Sequence, residues 1–320
     1  MYLGIEIGGT KLQIGVGAGD GSLAGLWRGN VDIALGPEGI RRQIAAAIPE
    51  LIKRSGTTRR DLQSAGIGFG GPVDDSSRRI IKSHQIAGWD NFPVADWMGD
   101  LIGLPCALGN DADVAGLAEA LYGAGKGFSP LFYITIGSGI GGGLIIEQQI
   151  YRGCGRGAAE IGHLAAGRHD STDKTRVVVE LEASGWAIQE RARRQASRDP
   201  KLGTALLRRS GGDPARITAE HVAEAARQGD PLALDVLQHA WTALAEAICH
   251  VVALLCPRRI VIGGGVSMMG ENLFFKPLRQ MVAARVFKPF AGSFDIVAAC
   301  LGEDVVVHGA IALARNHGDG

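Results

Sequence analysis

"YLGIEIGGTKLQIGVGAG", residues 2–19, contains two apolar alternations parted by a glycine pair. Leu3, Ile5 and Ile7 alternate up to Gly8-Gly9, and Leu12, Ile14 and Val16 take the alternation up again. Period two on both sides of a glycine pair reads as strand, tight turn, strand. The unit recurs in "LFYITIGSGIGGGLIIEQQIY", residues 131–151, and each copy is followed by mixed α/β chain. That predicts two related lobes, each opening on a glycine-turned hairpin. The expected division is 1–112 and 113–303, with a final helix near 304–317 packing back on the first lobe.

The chain between and after these units supports an α/β class. In "GIRRQIAAAIPELIKRSG" (39–56), Ile40, Ile44, Ile48 and Leu51 fall on one helical face and Gly56 stops the helix. "LQSAGIGFGGPVD" (62–74) is a short apolar strand ending in Gly70-Gly71-Pro72, and "PCALGNDADVAGLAEALYGAG" (105–125) runs from strand into helix. Residues 180–256 read as mainly helical, with Thr218 at a helix cap. "RRIVIGGGVSMMG" (258–270) is another strand ending in glycines, and residues 295–318 close with a strand and a helix.

Composition narrows the function. Of 320 residues 46% are hydrophobic, and 33 basic residues balance 33 acidic ones, so no basic field invites nucleic acid or an anionic membrane. No run of ~18 apolar residues spans a bilayer, and MYLGIEIGGT lacks the parts of a signal peptide. Five cysteines, an odd count without C-x-x-C spacing, read as small buried hydrophobes in a reducing compartment. A cytoplasmic protein is the expectation.

The glycine turns carry chemistry. "GSGIGG" (137–142) formally matches a dinucleotide fingerprint, but a strand follows it rather than the helix that fingerprint needs, and no G-K-[ST] ends it as in a P-loop. A glycine hairpin still presents consecutive N–H groups, unblocked by Cβ atoms, to anionic oxygens. Gly8, Gly9, Thr10 and Lys11 in one hairpin, Gly137, Ser138 and Gly139 in the other, and Gly264 and Gly265 after a later strand would together suit nucleotide phosphates. The alternative is that the glycines only make tight turns. Asp111, where an apolar strand meets an Ala-rich helix, is either a carboxylate aimed into a cleft or, with Asn110, a helix cap. Glu160 and His163 in "GAAEIGHLAAG" (157–167) could hold a metal, act as an acid–base pair, bind a polar substrate or cap a helix.

"GIEIGGTKLQIGV", "GFGGPVD", "GWDNFP", "GNDADVAGLAEALYGAGKG", "TIGSGIGGGLI", "GAAEIGH", "ELEASGWAI" and "IVIGGGVS" occur in this order between Leu3 and His317. Together they resemble the ROK family of sugar kinases and sugar-responsive repressors, within the actin-like ATPase superfamily. The resemblance implies a two-lobed, ribonuclease H-like α/β fold with the active site in the interlobe cleft. It implies ATP- and Mg²⁺-dependent phosphorylation of a hexose hydroxyl, glucose first and at the 6-hydroxyl, with Asp111 as general base. Fructose or an N-acetylhexosamine are the competing substrates, and a sugar-sensing regulator is the competing function. Repressor members carry an N-terminal helix-turn-helix domain, whereas this chain opens on the first phosphate strand. Asp113, inside the helix, is read as structural.

By the same resemblance, Glu160, His163 and Glu180 contact sugar hydroxyls, with Asn110, Asp111, Gln85 and the close backbone of Gly70 and Gly71 completing the sugar site. The chain departs from the family pattern in three places. The family's zinc-binding cysteines correspond to Ser171, Asp173 and Val178, so no structural zinc is expected. Glu6 replaces an Asp near the magnesium ion, where it would act through water, and Gln85 replaces an Asn. Trp89, Phe92 and Trp97 are read as lobe core ahead of a stacking platform. Members commonly pair, so a homodimer is expected, with Leu232, Leu234, Leu237, Trp241, Leu244 and Ile248 supplying either its face or internal core.

Overall fold

The computed structural model describes residues 1–83, 86–155, 157–166 and 177–318. It groups them into two compact units, one of Met1–Tyr133, Gly143–Ala159 and Ala299–Gly320, the other of Ile134–Gly142 and Glu160–Ala298. The expected boundary at 112/113 falls inside a helix of the first unit, not at its edge.

The first unit is built on strands β1 (Tyr2–Ile7), β2 (Lys11–Gly17), β3 (Leu23–Asn30) and β4 (Ser64–Phe69), with helix α1 (Gly36–Arg54) between β3 and β4. A short hairpin of β5 (Val73–Asp74) and β6 (Arg79–Ile80) follows, then α2 (Val94–Ile102), β7 (Cys106–Asn110) and α3 (Asp111–Tyr122). The sheet order is β3-β2-β1-β4-β7. β1 runs antiparallel to β2 with Ile5 opposite Ile14, and parallel to β4, which is parallel to β7. Ile40, Ile44, Ile48 and Leu51 of α1 join Leu3, Ile5, Ile14 and Trp89 in one core. Trp89 is fully buried, with Phe69 and Phe92 edge-on at 5.8 and 5.4 Å, so it is core and not a platform for ligand.

Glycine decides the other face. A Cβ on Gly66 of β4 would lie 2.0 Å from the Ala310 carbonyl oxygen, and one on Gly309 would lie 1.9 Å from that of Val114. Both contacts belong to the last helix, Val305–Gly318, which lies on β1, β4 and α3. These glycines serve close packing rather than phosphate, a use that alternation alone does not reveal.

Further along come β8 (Leu131–Ile136), β9 (Ile140–Ile146), β10 (Gln149–Ile150), β11 (Arg259–Gly263) and β12 (Asp295–Ala298), ordered β10-β9-β8-β11-β12. The helices of the second unit are α4 (Glu180–Ala183), α5 (Gly185–Arg198), α6 (Thr204–Arg209), α7 (Ala219–Arg227), α8 (Pro231–Leu255) and α9 (Lys276–Arg285), and the closing helix of the chain is α10. Thr218 caps α7, accepting from the His221 N–H while its own N–H donates to His221 Nδ1. Leu232, Leu237, Trp241, Leu244 and Ile248 of α8 are buried within the unit, leaving only Leu234 of the proposed dimer face at 42% exposure. The apolar side of α8 is internal core. All five cysteines are free, but only Cys106 is buried; Cys154, Cys256 and Cys300 are exposed, contrary to the expectation of small buried hydrophobes.

Candidate active site

In the first unit, β1 delivers Glu6 just before the turn, and Gly8 N donates to Lys11 O at 3.0 Å to close the hairpin. The β1–β2 register sets Glu6 across from Gln13, whose Nε2 donates to Glu6 Oε2 at 2.8 Å. Burial pushes the Glu6 carboxyl up to about 7; Lys11 and Gln13 pull it down, while Asp111 and Asp304 push it further up.

Asp111 and Asn110 divide two tasks the sequence left open. Asn110 is the cap of α3: its Oδ1 accepts from Ala112 N at 2.9 Å, and its Nδ2 donates to Gly71 O at 3.0 Å. Asp111 Oδ1 also accepts from Ala112 N, at 2.8 Å. Its Oδ2 lies beside Gly70, where a Cβ would sit 3.4 Å from that oxygen and 3.5 Å from Gly8 Cα. The carboxylate thus stands beside the glycine hairpin, with Asn110 also capping the helix. Asp113, also on α3, is buried at 6% exposure.

In the second unit, Gly137 N donates to Gly139 O at 2.9 Å, forming the second tight turn. Glu180 Oε2 accepts from Ile140 N at 2.8 Å, and a Cβ on Gly139 would meet that oxygen at 2.5 Å. Helix α4 is too short to stand alone, and Glu182 anchors it through contact with His239 of α8. Ala166 N donates to Val177 O and Val179 N to Leu164 O, both at 3.0 Å. This pairing brings the Glu160–His163 turn alongside the start of α4. Glu160 is raised by burial and further by Glu180, against the opposing pull of His163. His163 is exposed. Ala159, directly ahead of Glu160, sits at φ +65°, a left-handed conformation costing about 1–2 kcal/mol for a non-glycine.

A cavity of about 660 Å³ adjoins this turn, lined by Gly137, Ser138, Gly185, Trp186, Gln189 and Gly265 among others. Its size suits a nucleoside. Gly185 N donates to Gly137 O at 2.8 Å, so the start of α5 is stitched to the glycine turn. Gly264 lies close against the backbone of Ile136, where a Cβ would stand 2.5 Å from the carbonyl oxygen. Sequence reasoning did not name Trp186 and Gln189 as site residues, although Trp186 stands within "ELEASGWAI", two residues after the Ser184 cap, and that motif was the available signal.

Gln85 lies outside the described residues, as do Ser171 and Asp173, while Val178 forms a bridge with Ala165. Among the described residues no group of three or more His, Cys, Asp or Glu side chains could hold a metal ion. A magnesium ion fits Glu6 on donor chemistry: a hard carboxylate crowded by Asp111 and Asp304, for a cation that keeps several waters.

The raised Glu6 carboxyl makes a testable statement. Its folded-state value of about 7 exceeds the ordinary 4.5, so stability is complete below 4.5 and falls as pH rises through 7. In EDTA, Glu6→Gln is expected to be more stable than the parent at pH 8 by up to about 3 kcal/mol, and equal to it near pH 4. Thermal melts across pH check this; a gap that stays constant with pH contradicts it.

The profile of the ROK family matches residues 2–317. A glucokinase from Thermotoga maritima is 30% identical over 315 residues, covering 98% of this chain and 96% of that protein. A ROK family glucokinase from Streptomyces griseus, solved in complex with glucose and AMPPNP, is 30% identical with a TM-score of 0.81, over 98% of this chain and 99% of that one. A putative xylose repressor from Caldicellulosiruptor sp. is 26% identical over 90% of this chain and 71% of its own. The two sheets opening on glycine hairpins have the actin-like ATPase fold of these kinases. By family match and by fold, the chain belongs to the ROK family.

Proposed function

We propose that this sugar kinase transfers the γ-phosphoryl group of ATP to a hexose hydroxyl, glucose at its 6-hydroxyl being the leading substrate. The observation that carries the reading is the Asp111 carboxylate beside Gly70 and Gly8, on a helix that Asn110 also caps. A sugar hydroxyl is a weak nucleophile, and a positioned carboxylate takes its proton as the phosphoryl group moves. The Asp111 carboxylate, with Oδ2 beside Gly70, is the group that receives this proton.

Glu160, Glu180 and His163 supply acceptors, and the imidazole a donor as well, for neighbouring sugar hydroxyls. Such groups reject a sugar lacking a hydroxyl, because they would be left unpaired. The N–H groups of the Gly8–Lys11 and Gly137–Gly139 turns hold phosphate oxygens, and the cavity beside Trp186 takes the nucleoside. Glu6 would hold Mg²⁺ through water, and the ion would supply neutralisation of phosphate charge. We extend this reading to a cytoplasmic homodimer.

A coupled ADP-release assay with ATP and Mg²⁺ across hexoses and N-acetylhexosamines tests it. Turnover is expected with glucose first, at about 1–100 per second. Sugar binding in a thermal-shift assay without any turnover would instead favour the second reading, a sugar-sensing regulator, which repressor relatives motivate.

A further inference from the structure

Gln13 is a buried polar side chain that the mechanism above does not use. It is 1% exposed, and both ends of its amide are engaged. Nε2 donates to Glu6 Oε2 at 2.8 Å and to the Glu303 carbonyl at 3.0 Å, while Oε1 accepts from Arg28 Nε at 3.1 Å. Arg28 is itself held by both oxygens of Asp304, at 2.9 and 2.8 Å. The segment bearing Glu303 and Asp304 is fixed by fully buried Glu119, which accepts from the N–H groups of Cys300 and Leu301 at 2.9 and 3.0 Å.

The amide therefore has one permitted orientation. Turned over, Oε1 would face two oxygens and Nε2 would face a guanidinium, leaving buried groups unpaired. The remaining oxygen of Glu6, Oε1, lies on the hairpin side, 4.0 Å from where a Cβ on Gly8 would be. A Glu has one more rotatable bond than an Asp, and a bond from Gln13 removes that freedom.

We propose that Gln13, locked by Arg28 and Glu303, is a positioning residue for Glu6: it pins Oε2 so that Oε1 is presented to the Gly8–Lys11 hairpin. This rests on the function proposed above, which puts phosphates and their cation at that hairpin. The test compares Gln13→Met, Arg28→Met and Glu6→Asp, singly and with Gln13→Met on Glu6→Asp. The readouts are equilibrium Mn²⁺ binding in the presence of ADP, by electron paramagnetic resonance, and kcat against the KM for Mg²⁺. Gln13→Met is expected to weaken Mn²⁺ binding and raise the KM for Mg²⁺ by about tenfold, the lower end of the effect of outer-shell partners. Arg28→Met, altering a side chain 58% exposed, moves both in the same direction by about threefold and keeps the fold. On Glu6→Asp, whose carboxylate is withdrawn from Gln13 by a methylene, Gln13→Met changes Mn²⁺ binding by less than about twofold.

Equal losses from Gln13→Met on Glu6 and on Glu6→Asp would overturn the inference, as would unchanged Mn²⁺ affinity in a folded Gln13→Met. If Gln13→Met does not fold, Arg28→Met decides by the same measure. A parent that turns over sugar while the variants bind Mn²⁺ normally overturns this inference alone. A parent that binds no Mn²⁺ and phosphorylates no sugar overturns the functional reading and this inference together.

Discussion

Asp111→Asn is expected to lower kcat for sugar phosphorylation by about 10²–10⁴-fold, the range over which positioned proton transfer contributes. The change is nearly isosteric, and the amide oxygen can still accept the Ala112 N–H that Asp111 Oδ1 now takes. Asn110 also bonds that N–H, so α3 keeps a cap and the thermal midpoint is expected to stay where it is. What is lost is an oxygen able to receive the hydroxyl proton, an interaction realised as the phosphoryl group departs. The KM for sugar should therefore move by no more than about threefold while kcat falls, the pattern of a transition-state loss. Steady-state kinetics with glucose and ATP, beside a melting curve, provide the check. A fall in kcat below about tenfold, or a rise in KM with kcat unchanged, would take the proton from Asp111 and leave it a binding residue.

That experiment addresses an ambiguity the sequence could not remove. "GND" puts two good capping residues at a strand–helix junction, and either satisfies the local pattern. Asn110 uses both ends of its amide on Ala112 and Gly71, with the Asp111 carboxylate turned toward Gly70 and Gly8. The hairpins were legible because period-two alternation and a glycine pair are local signals. Strand β3 was not singled out, since its mostly half-exposed edge pattern carries little alternation. Glu160, His163 and Glu180 were legible as types, but their meeting depends on the Ala165–Val178 bridge, which no local pattern encodes. The same holds for Gln13, Arg28 and Glu119, whose partners lie on other elements, as far off in sequence as Glu303. Long-range pairing decides what a polar residue does. Local spacing decides only where it stands.

Gly264 and Gly265 show the same limit, and they supply the second large effect. Both follow a strand and both read as phosphate glycines, yet their surroundings differ. Gly264 has φ +85° and ψ +167°, a region essentially restricted to glycine, where a side chain costs about 1–3 kcal/mol. A Cβ there would also stand 2.5, 2.6 and 2.7 Å from the O, N and C of Ile136, atoms of backbone that cannot swing aside. Overpacking of this kind adds about 1–3 kcal/mol. Ile136 ends β8 and leads into Gly137, so the strain falls on the turn that lines the proposed nucleoside cavity. Gly264→Ala is expected to destabilise the second unit by on the order of 4 kcal/mol, seen as an early transition in urea. At Gly265 nothing lies within 4 Å of the added carbon, and the residue lines that cavity. Gly265→Ala should leave the urea midpoint within about 0.5 kcal/mol of the parent, so any loss of nucleotide affinity in it reports on ligand contact alone. A Gly264→Ala protein as stable as the parent would mean that β8 yields to the methyl group, and that the glycine there answers to the nucleotide after all.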